Sequence, residues 1–423
     1  MKLIVNRSSV SGKVEIPGSK SHTIRAVAIA SLAEGTSVIA RPLVAADTLA
    51  ALNAYRLLGA DMLEQQDWVV RGIGGRPTVP DNVIDVGNSG TTLYIAMGSA
   101  ALVDGSSVFT GDEQIRRRPA GPLIEALNSL GAQVESTRSN GTAPLVVRGP
   151  MTGGSVTLDC GKTSQYLTSL LINCPLASGN TVIEAESLVE RPYIEMTLAW
   201  LAEQGVELTN DGFRRFSIPG GQRYKGFAKV IPGDFSSATF FMCAAAITGG
   251  DLELNGLDPN DTQGDRVVAG MLMEMGANVE QTHRGLRVRG GELTGATLDL
   301  GDTPDALPAL AVTACFAHGE TRLVNVAQAR LKETDRITVM REELSKMGAD
   351  IQELPDGLMV RGSRLRAARV DGRHDHRVVM ALAVAGLAVD GETSVESAEA
   401  LDVTFPTFVE LIRSAGADVR LEQ

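Results

Sequence analysis

Cysteine is scarce in this chain. Its 423 residues include four, Cys160, Cys174, Cys243 and Cys315, far apart and with no C-x-x-C spacing. That excludes a disulfide framework and a zinc knuckle, and it fits a reducing compartment, so a cytoplasmic protein is expected. Long apolar runs are also missing. The two longest, near 306–317 and 378–389, fall short of the roughly 20 residues of a membrane span. The start, Met1 to Arg7, has too short an apolar run for a signal peptide. No membrane partner is therefore expected. Positive charge is in deficit: 39 Lys and Arg against 51 Asp and Glu leave a net charge of −12. Such a surface argues against nucleic acid or anionic lipid as a main partner. It leaves room for small anions, because a local cluster of cations can oppose the global sign. The Gly72-Ile73-Gly74-Gly75 stretch lacks the Lys-Ser/Thr of a phosphate loop. His374-x-His376 has no third ligand at suitable spacing, so no metal site is expected.

What is present is a folded, repetitive chain. Hydrophobic residues make up 43% and charged residues 21%, as in globular proteins. The length exceeds what one core usually serves, which predicts two domains. Two independent sets of glycines recur. Gly59, Gly131, Gly205, Gly276, Gly348 and Gly416 follow amphipathic segments, in strings such as EMGANVE and KMGADIQE, with steps of 72, 74, 71, 72 and 68 residues. Gly35, Gly105, Gly179, Gly250, Gly319 and Gly391 follow apolar segments, with steps of 70, 74, 71, 69 and 72. A shared period near 70 predicts six repeats, three to each domain. Ile337, Met340, Leu344 and Met347 lie on one helical face, and Phe405, Phe408, Val409 and Ile412 are expected to do the same. These first-set helices should lie outside. The second-set helices, apolar nearly all round, should be buried.

The starts of the six apolar helices carry the polar chemistry. They fall at Ser19-Lys20-Ser21, Asn88-Ser89-Gly90, Thr163-Ser164-Gln165, Asp234-Phe235-Ser236, Thr303-Pro304-Asp305 and Asp375-His376-Arg377. Each offers Ser, Thr, Asn or Asp as an N-cap. Capping alone does not account for Lys20, Arg25 and Arg377, since a cation at a helix start opposes the macrodipole. Several such N-termini turned to one place would bind anions through backbone N–H groups. Two further helix openings are rich in arginine, Gly111–Pro119 and Arg330–Arg336. In the second, Glu333 and Asp335 are interleaved with the cations, and a carboxylate held between Lys332 and Arg336 is a candidate acid or base.

Together these strings resemble the 5-enolpyruvylshikimate-3-phosphate synthases, a family of enolpyruvyl transferases. They are PGSKS at 17–21 with Arg25, GNSGTT at 87–92, RP at 118–119, SQYL at 164–167, RPYIEMTL at 191–198, PGDFSSA at 232–238, PDALPALA at 304–311, LKETDRI at 331–337 and DHR at 375–377. Their order and spacing make the resemblance specific, and it runs from Pro17 almost to the C-terminus. It implies a two-domain α/β fold of six βαβαββ repeats, inside-out and barrel-like, with residues 19–232 in one domain and 1–18 plus 233–423 in the other. The cleft between them would close on substrate. It implies transfer of the enolpyruvyl group of phosphoenolpyruvate to the 5-hydroxyl of shikimate 3-phosphate by a monomer that needs no cofactor. Lys20, Gly90, Arg118, Gln165, Arg336 and Arg377 match positions that grip phosphoenolpyruvate. Ser21, Arg25, Thr163, Ser164, Gln165 and Tyr193 match positions that hold shikimate 3-phosphate. Asp305 and Lys332 would face the reacting hydroxyl, Glu333 would exchange a proton with the methylene carbon, and Lys20 would join in catalysis.

Four positions depart from the family pattern. Tyr94 stands where an arginine is usual, Glu190 replaces a phosphate-binding serine, Gln328 replaces an asparagine, and Val403 replaces a lysine of the donor site. These departures fit drift within the family, and they also fit a related transferase with another acceptor alcohol. A transferase acting on UDP-N-acetylglucosamine is disfavoured, because its reactive cysteine has no counterpart in Gly111–Pro119. A repeat scaffold without activity would have no need to keep Lys20, Asp305, Lys332, Glu333 and Arg377 together.

Overall fold

The apolar second-set segments form helices with no exposed face. In the computed structural model, which describes all 423 residues, they span Lys20–Leu32, Gly90–Ala100, Gln165–Asn173, Phe235–Thr248, Leu307–Cys315 and His376–Leu387. In Phe235–Thr248 every residue from Phe235 to Ala246 is buried. Side chains that are apolar all round leave no surface for water, so such a helix is stable only when enclosed. Three of these helices nucleate the hydrophobic core of one compact unit, Gly18–Ile231. The other three do so for a second unit, Met1–Pro17 with Pro232–Gln423. All four cysteines belong to these cores, and burial pushes each thiol up to about 12, so none is a nucleophile at neutral pH.

Each core is covered by three four-stranded sheets of one design. In the repeat at 84–148, Ile84–Asp85 pairs in parallel with Ser106–Thr110, which pairs antiparallel with Leu145–Arg148, which pairs antiparallel with Gln133–Ser136. The chain order is therefore strand, inner helix, strand, outer helix, strand, strand: a βαβαββ unit, six times over. Two first strands lie far in sequence from the rest of the repeat they complete, each inside one unit. Ser11–Glu15 pairs in parallel with Asp251–Asn255, and Ala228–Val230 pairs in parallel with Thr36–Ala40. The chain leaves each unit directly after such a strand. Lys2–Asn6 lies antiparallel between Glu392–Glu396 and Val419–Glu422, so the N-terminus completes the sixth repeat.

The outer helices span Ala46–Leu57, Gly121–Ser129, Arg191–Glu203, Val268–Glu274, Arg336–Lys346 and Phe408–Ser414. On Arg336–Lys346 the face of Ile337, Met340 and Leu344 is buried, as the periodicity predicts. The six glycines that follow these helices all have positive φ. At Gly276, with φ +106°, a Cβ would also lie 2.5 Å from the carbonyl oxygen of Glu292, so the turn excludes a side chain twice over.

Two expectations need correction. Phe405 is not on the last outer helix. A short helix, Leu401–Thr404, ends before it, and the next begins at Phe408. Pro406 has no N–H with which to continue the first. Phe405 and Phe408 still pack together, 5.7 Å apart and each about 6 Å from Phe241. The caps are also fewer than the sequence suggests. Ser89, Asp234 and Asp375 accept from a backbone N–H of their helix. Ser19, Ser164 and Thr303 make no such bond, although at the third helix the Thr163 hydroxyl accepts from the Gln165 N–H instead.

Candidate active site

In the unit Gly18–Ile231, the starts of all three inner helices join one polar network. Lys20 is the first residue of its helix. Its Nζ lies 3.2 Å from Oδ2 of Asp47, in a pair whose side chains are 17% and 5% exposed. The Asp47 carbonyl accepts from the Thr92 hydroxyl at 3.3 Å, which links Lys20 to the second inner helix. That helix opens with Gly90, where a Cβ would stand 2.5 Å from an Arg118 guanidinium nitrogen, so the missing side chain makes room for the cation. One residue beyond Arg118, the Pro119 carbonyl accepts from Tyr94 at 2.8 Å and Tyr166 at 2.5 Å. Tyr166 adjoins Gln165, whose Oε1 is buried with no hydrogen-bond partner. A buried acceptor left unpaired by protein groups costs free energy.

Arg25 anchors the other side of this network. It is 2% exposed. Its guanidinium donates to the carbonyls of Ser21 and Tyr193, both at 3.0 Å, and to the hydroxyls of Thr197 at 3.0 Å and Thr168 at 3.3 Å. Burial pulls it down to about 10, which still leaves it charged at neutral pH. The Thr163 hydroxyl accepts from the Gln165 N–H at 3.2 Å. Ser164 donates its hydroxyl to Oε2 of Glu190 at 3.1 Å. Glu190, 1% exposed and with φ +55°, thus turns inward onto Ser164. This is how the chain accommodates a carboxylate where its relatives are expected to hold a serine.

In the second unit the organising group is Arg336, the first residue of its helix and fully buried. Its Nε and one terminal nitrogen hold Asp375 at 2.8 and 3.1 Å. The other contacts are Asp305 at 2.7 Å and Glu333 at 2.6 Å. Burial alone would weaken the guanidinium as a base, but the carboxylates of Asp375, Glu333 and Asp305 outweigh it and hold the pKa above the ordinary arginine value. Arg377, the second residue of its helix, reaches Oδ2 of Asp305 at 3.0 Å. Asp305 is therefore gripped by two guanidinium groups, a charge-assisted arrangement that fixes its orientation. Lys332 follows the short turn Ala327–Leu331, in which Gln328 donates to the Gly301 carbonyl at 2.8 Å.

Not every basic residue of the two arginine-rich segments contributes. Arg117 pairs with Glu113 on the exposed surface, and Arg330 holds Asp335 and Glu353. Val403 sits in the short helix Leu401–Thr404. His376 begins an inner helix, while exposed His374 lies 3.2 Å from Glu399. No three His, Cys, Asp or Glu side chains are grouped to hold a metal ion, and no helix is long and apolar enough to cross a membrane.

Three acidic members were not singled out from sequence as site residues. Asp47 and Asp375 precede or open helices and read as ordinary caps. Asp265 stands in Gln263-Gly264-Asp265, with no basic neighbour but Arg266 to mark it. It is buried, and it accepts the hydroxyls of Ser236 and Thr303. Burial raises its pKa and Asp305 adds to the rise, while Arg377 opposes it. Below about pH 4 Asp265 is protonated in both folded and unfolded chains. As pH climbs from there toward the raised folded value, the unfolded chain ionises first, so stability falls across that window. Asp265→Asn removes the titration. Its stability relative to the parent is therefore expected to improve between pH 4 and pH 7, as read by urea unfolding at both. A constant difference across that range would refute the assignment.

The comparisons with known proteins agree on one family. The profile of the EPSP synthase (3-phosphoshikimate 1-carboxyvinyltransferase) family matches residues 4–412. Proteins named 3-phosphoshikimate 1-carboxyvinyltransferase are similar over essentially the whole length. That of Ruminiclostridium cellulolyticum is 53% identical over 422 residues, covering 100% of both chains. That of Acetivibrio thermocellus is 54% identical over 420 residues, covering 99% of each. An EPSP synthase structure from Acinetobacter baumannii superposes with a TM-score of 0.85 at 29% identity, covering 100% of both chains. A match of this extent, on a chain whose helix starts carry the polar networks just described, means that the protein belongs to the EPSP synthase (3-phosphoshikimate 1-carboxyvinyltransferase) family.

Proposed function

We propose that this protein transfers the 1-carboxyvinyl group of phosphoenolpyruvate to the 5-hydroxyl of shikimate 3-phosphate, releasing phosphate, on the route to chorismate. The observation that carries the reading is Asp305 held between Arg336 and Arg377, at 2.7 and 3.0 Å, with Glu333 on the same Arg336. That arrangement supplies an oriented carboxylate to accept a hydroxyl proton. It also supplies a second carboxyl for the donor, and cations for the charge that moves.

The chemistry is balanced as follows. Glu333 delivers a proton to the methylene carbon of phosphoenolpyruvate, leaving the adjacent carbon electrophilic. The 5-hydroxyl attacks that carbon and gives its proton to Asp305, with Lys332 beside the oxygen. The tetrahedral adduct then returns a methyl proton to the Glu333 carboxylate as the C–O bond to phosphate breaks and the double bond is restored, and the departing phosphate takes up the proton held by Asp305. Lys20, Arg118, Arg336 and Arg377 neutralise the donor's phosphate and carboxylate, and stabilisation of this kind is worth most where charge develops. Gly90 and Gln165 complete the donor site. Ser21, Arg25, Thr163, Ser164, Gln165 and Tyr193 hold the acceptor. The step calls for no redox or metal cofactor, since every transfer is of a proton or an alkyl group. We assign the reaction to a cytoplasmic monomer.

The test is phosphate release from phosphoenolpyruvate with shikimate 3-phosphate as acceptor. Turnover that depends on the acceptor supports the reading, and its absence sinks it. Release only with some other alcohol would mean that Glu190, buried against Ser164, has changed the acceptor.

A further inference from the structure

The strand of chain bearing Arg118 is fastened in an unusual way. Pro119 fixes its own φ and restricts the residue before it, so the position of the Pro119 carbonyl largely dictates where the Arg118 side chain begins. That carbonyl accepts two phenolic hydroxyls, Tyr94 at 2.8 Å and Tyr166 at 2.5 Å. The two rings pack edge to face, 5.0 Å between centroids and 83° between planes, and both are buried. They come from adjacent inner helices, Gly90–Ala100 and Gln165–Asn173. The first of these helices touches the segment twice, one turn apart. Tyr94 holds the Pro119 carbonyl, and Gly90 lies against the Arg118 guanidinium. Residues four apart share a helical face, so both contacts follow from one helix orientation. Tyr166 directly follows Gln165, whose Oε1 is the unpaired acceptor described above. Each hydroxyl is pushed above the usual tyrosine range by burial, which keeps it protonated and donating.

We propose that Tyr94 and Tyr166 are paired positioning residues that set Arg118 for the anionic donor and couple that cation to Gln165. Neither tyrosine touches substrate in this proposal; both act through the Pro119 carbonyl. With one hydroxyl removed, the other still holds the carbonyl. With both removed, the carbonyl is released and Arg118 loses its fixed start. The proposal rests on the reading of Arg118 as a phosphoenolpyruvate ligand.

Tyr94→Phe and Tyr166→Phe keep both rings, so packing is conserved and the fold is retained. The double variant is expected to raise the KM for phosphoenolpyruvate about 5–20-fold, within the range for losing well-oriented hydrogen bonds. Each single variant should raise it measurably but less, by about 1.5–3-fold, by the same reasoning. Shikimate 3-phosphate affinity, measured by calorimetry without donor, should stay within about 2-fold, because the change is confined to the donor cation. Should the double variant be too unstable to assay, the two single variants are compared in its place, and no rise in either refutes the proposal. Arg118→Ala separates the two layers of the argument. If it raises the donor KM and the tyrosine changes add nothing in its background, the proposal stands. If it raises the donor KM but the double variant in the parent leaves KM unchanged, the positioning role is overturned and the donor-site reading survives. If Arg118→Ala itself leaves the donor KM unchanged, the donor-site reading of Arg118 fails and the proposal fails with it.

Discussion

Replacing Arg336 with alanine is expected to destabilise its unit by about 3–5 kcal/mol, the usual consequence of removing one partner from a buried ion network. The fully buried guanidinium is the shared partner of Asp305, Glu333 and Asp375. Asp375 is itself wholly buried, and without Arg336 its carboxylate is left to accept from the Thr334 hydroxyl at 3.1 Å and the Arg377 N–H at 2.9 Å. Arg336→Lys restores a charge but not the planar fork that spans three carboxylates, so it should recover less than half of the loss. The measurement needs a probe in the right place. Both tryptophans, Trp68 and Trp200, belong to the Gly18–Ile231 unit, and their fluorescence would follow the wrong one. Hydrogen exchange of the inner helices Leu307–Cys315 and His376–Leu387 reports on the unit in question. A change below about 1 kcal/mol there would show that the network contributes little to folding.

The second large effect concerns rate. Lys332→Ala and Glu333→Gln should each lower kcat by about 10²–10⁴-fold, the range for losing a positioned proton-transfer group. Folding should be nearly unaffected. Lys332 is part-exposed and ends a short turn. Glu333→Gln keeps the shape of the side chain while Arg336 retains Asp305 and Asp375. Initial rates of phosphate release at saturating substrates, set beside thermal unfolding midpoints, separate the two effects. Near-normal kcat in either variant would remove that residue from the chemistry. A loss of rate matched by a large fall in midpoint would reassign Glu333 to structure.

These predictions draw on different depths of the molecule, and the contrast shows what could be read early. Lys20, Gly90, Asp305 and Arg377 mark themselves in the sequence, because a cation, a glycine or a carboxylate at the start of an apolar helix needs a reason. Their partners do not mark themselves. Asp47 lies 27 residues from Lys20, Asp375 lies 39 from Arg336, and Glu190 lies 26 from Ser164. Pairings at such separations are created by packing, and neither spacing nor composition encodes them. Tyr94 is the sharpest case. From sequence it is a missing arginine, whereas in the fold it is a buried hydroxyl on the chain that carries Arg118.

By itself the sequence determined the repeat, its period, and the division into buried and surface helices. These follow from local chemistry: glycine where φ is positive, apolar residues all round an enclosed helix, and one apolar face on an outer helix. It also determined which residue types stand at each helix start. Only the tertiary structure decided which of those starts are capped, which carboxylates pair with which cations, and how Glu190 is accommodated. It alone decided that Lys2–Asn6 closes the last repeat beside Val419–Glu422. The physical reason is the same throughout. Backbone preference and burial act over a few residues, whereas ion pairs and hydrogen bonds form between whatever groups the packed core brings within about 3 Å.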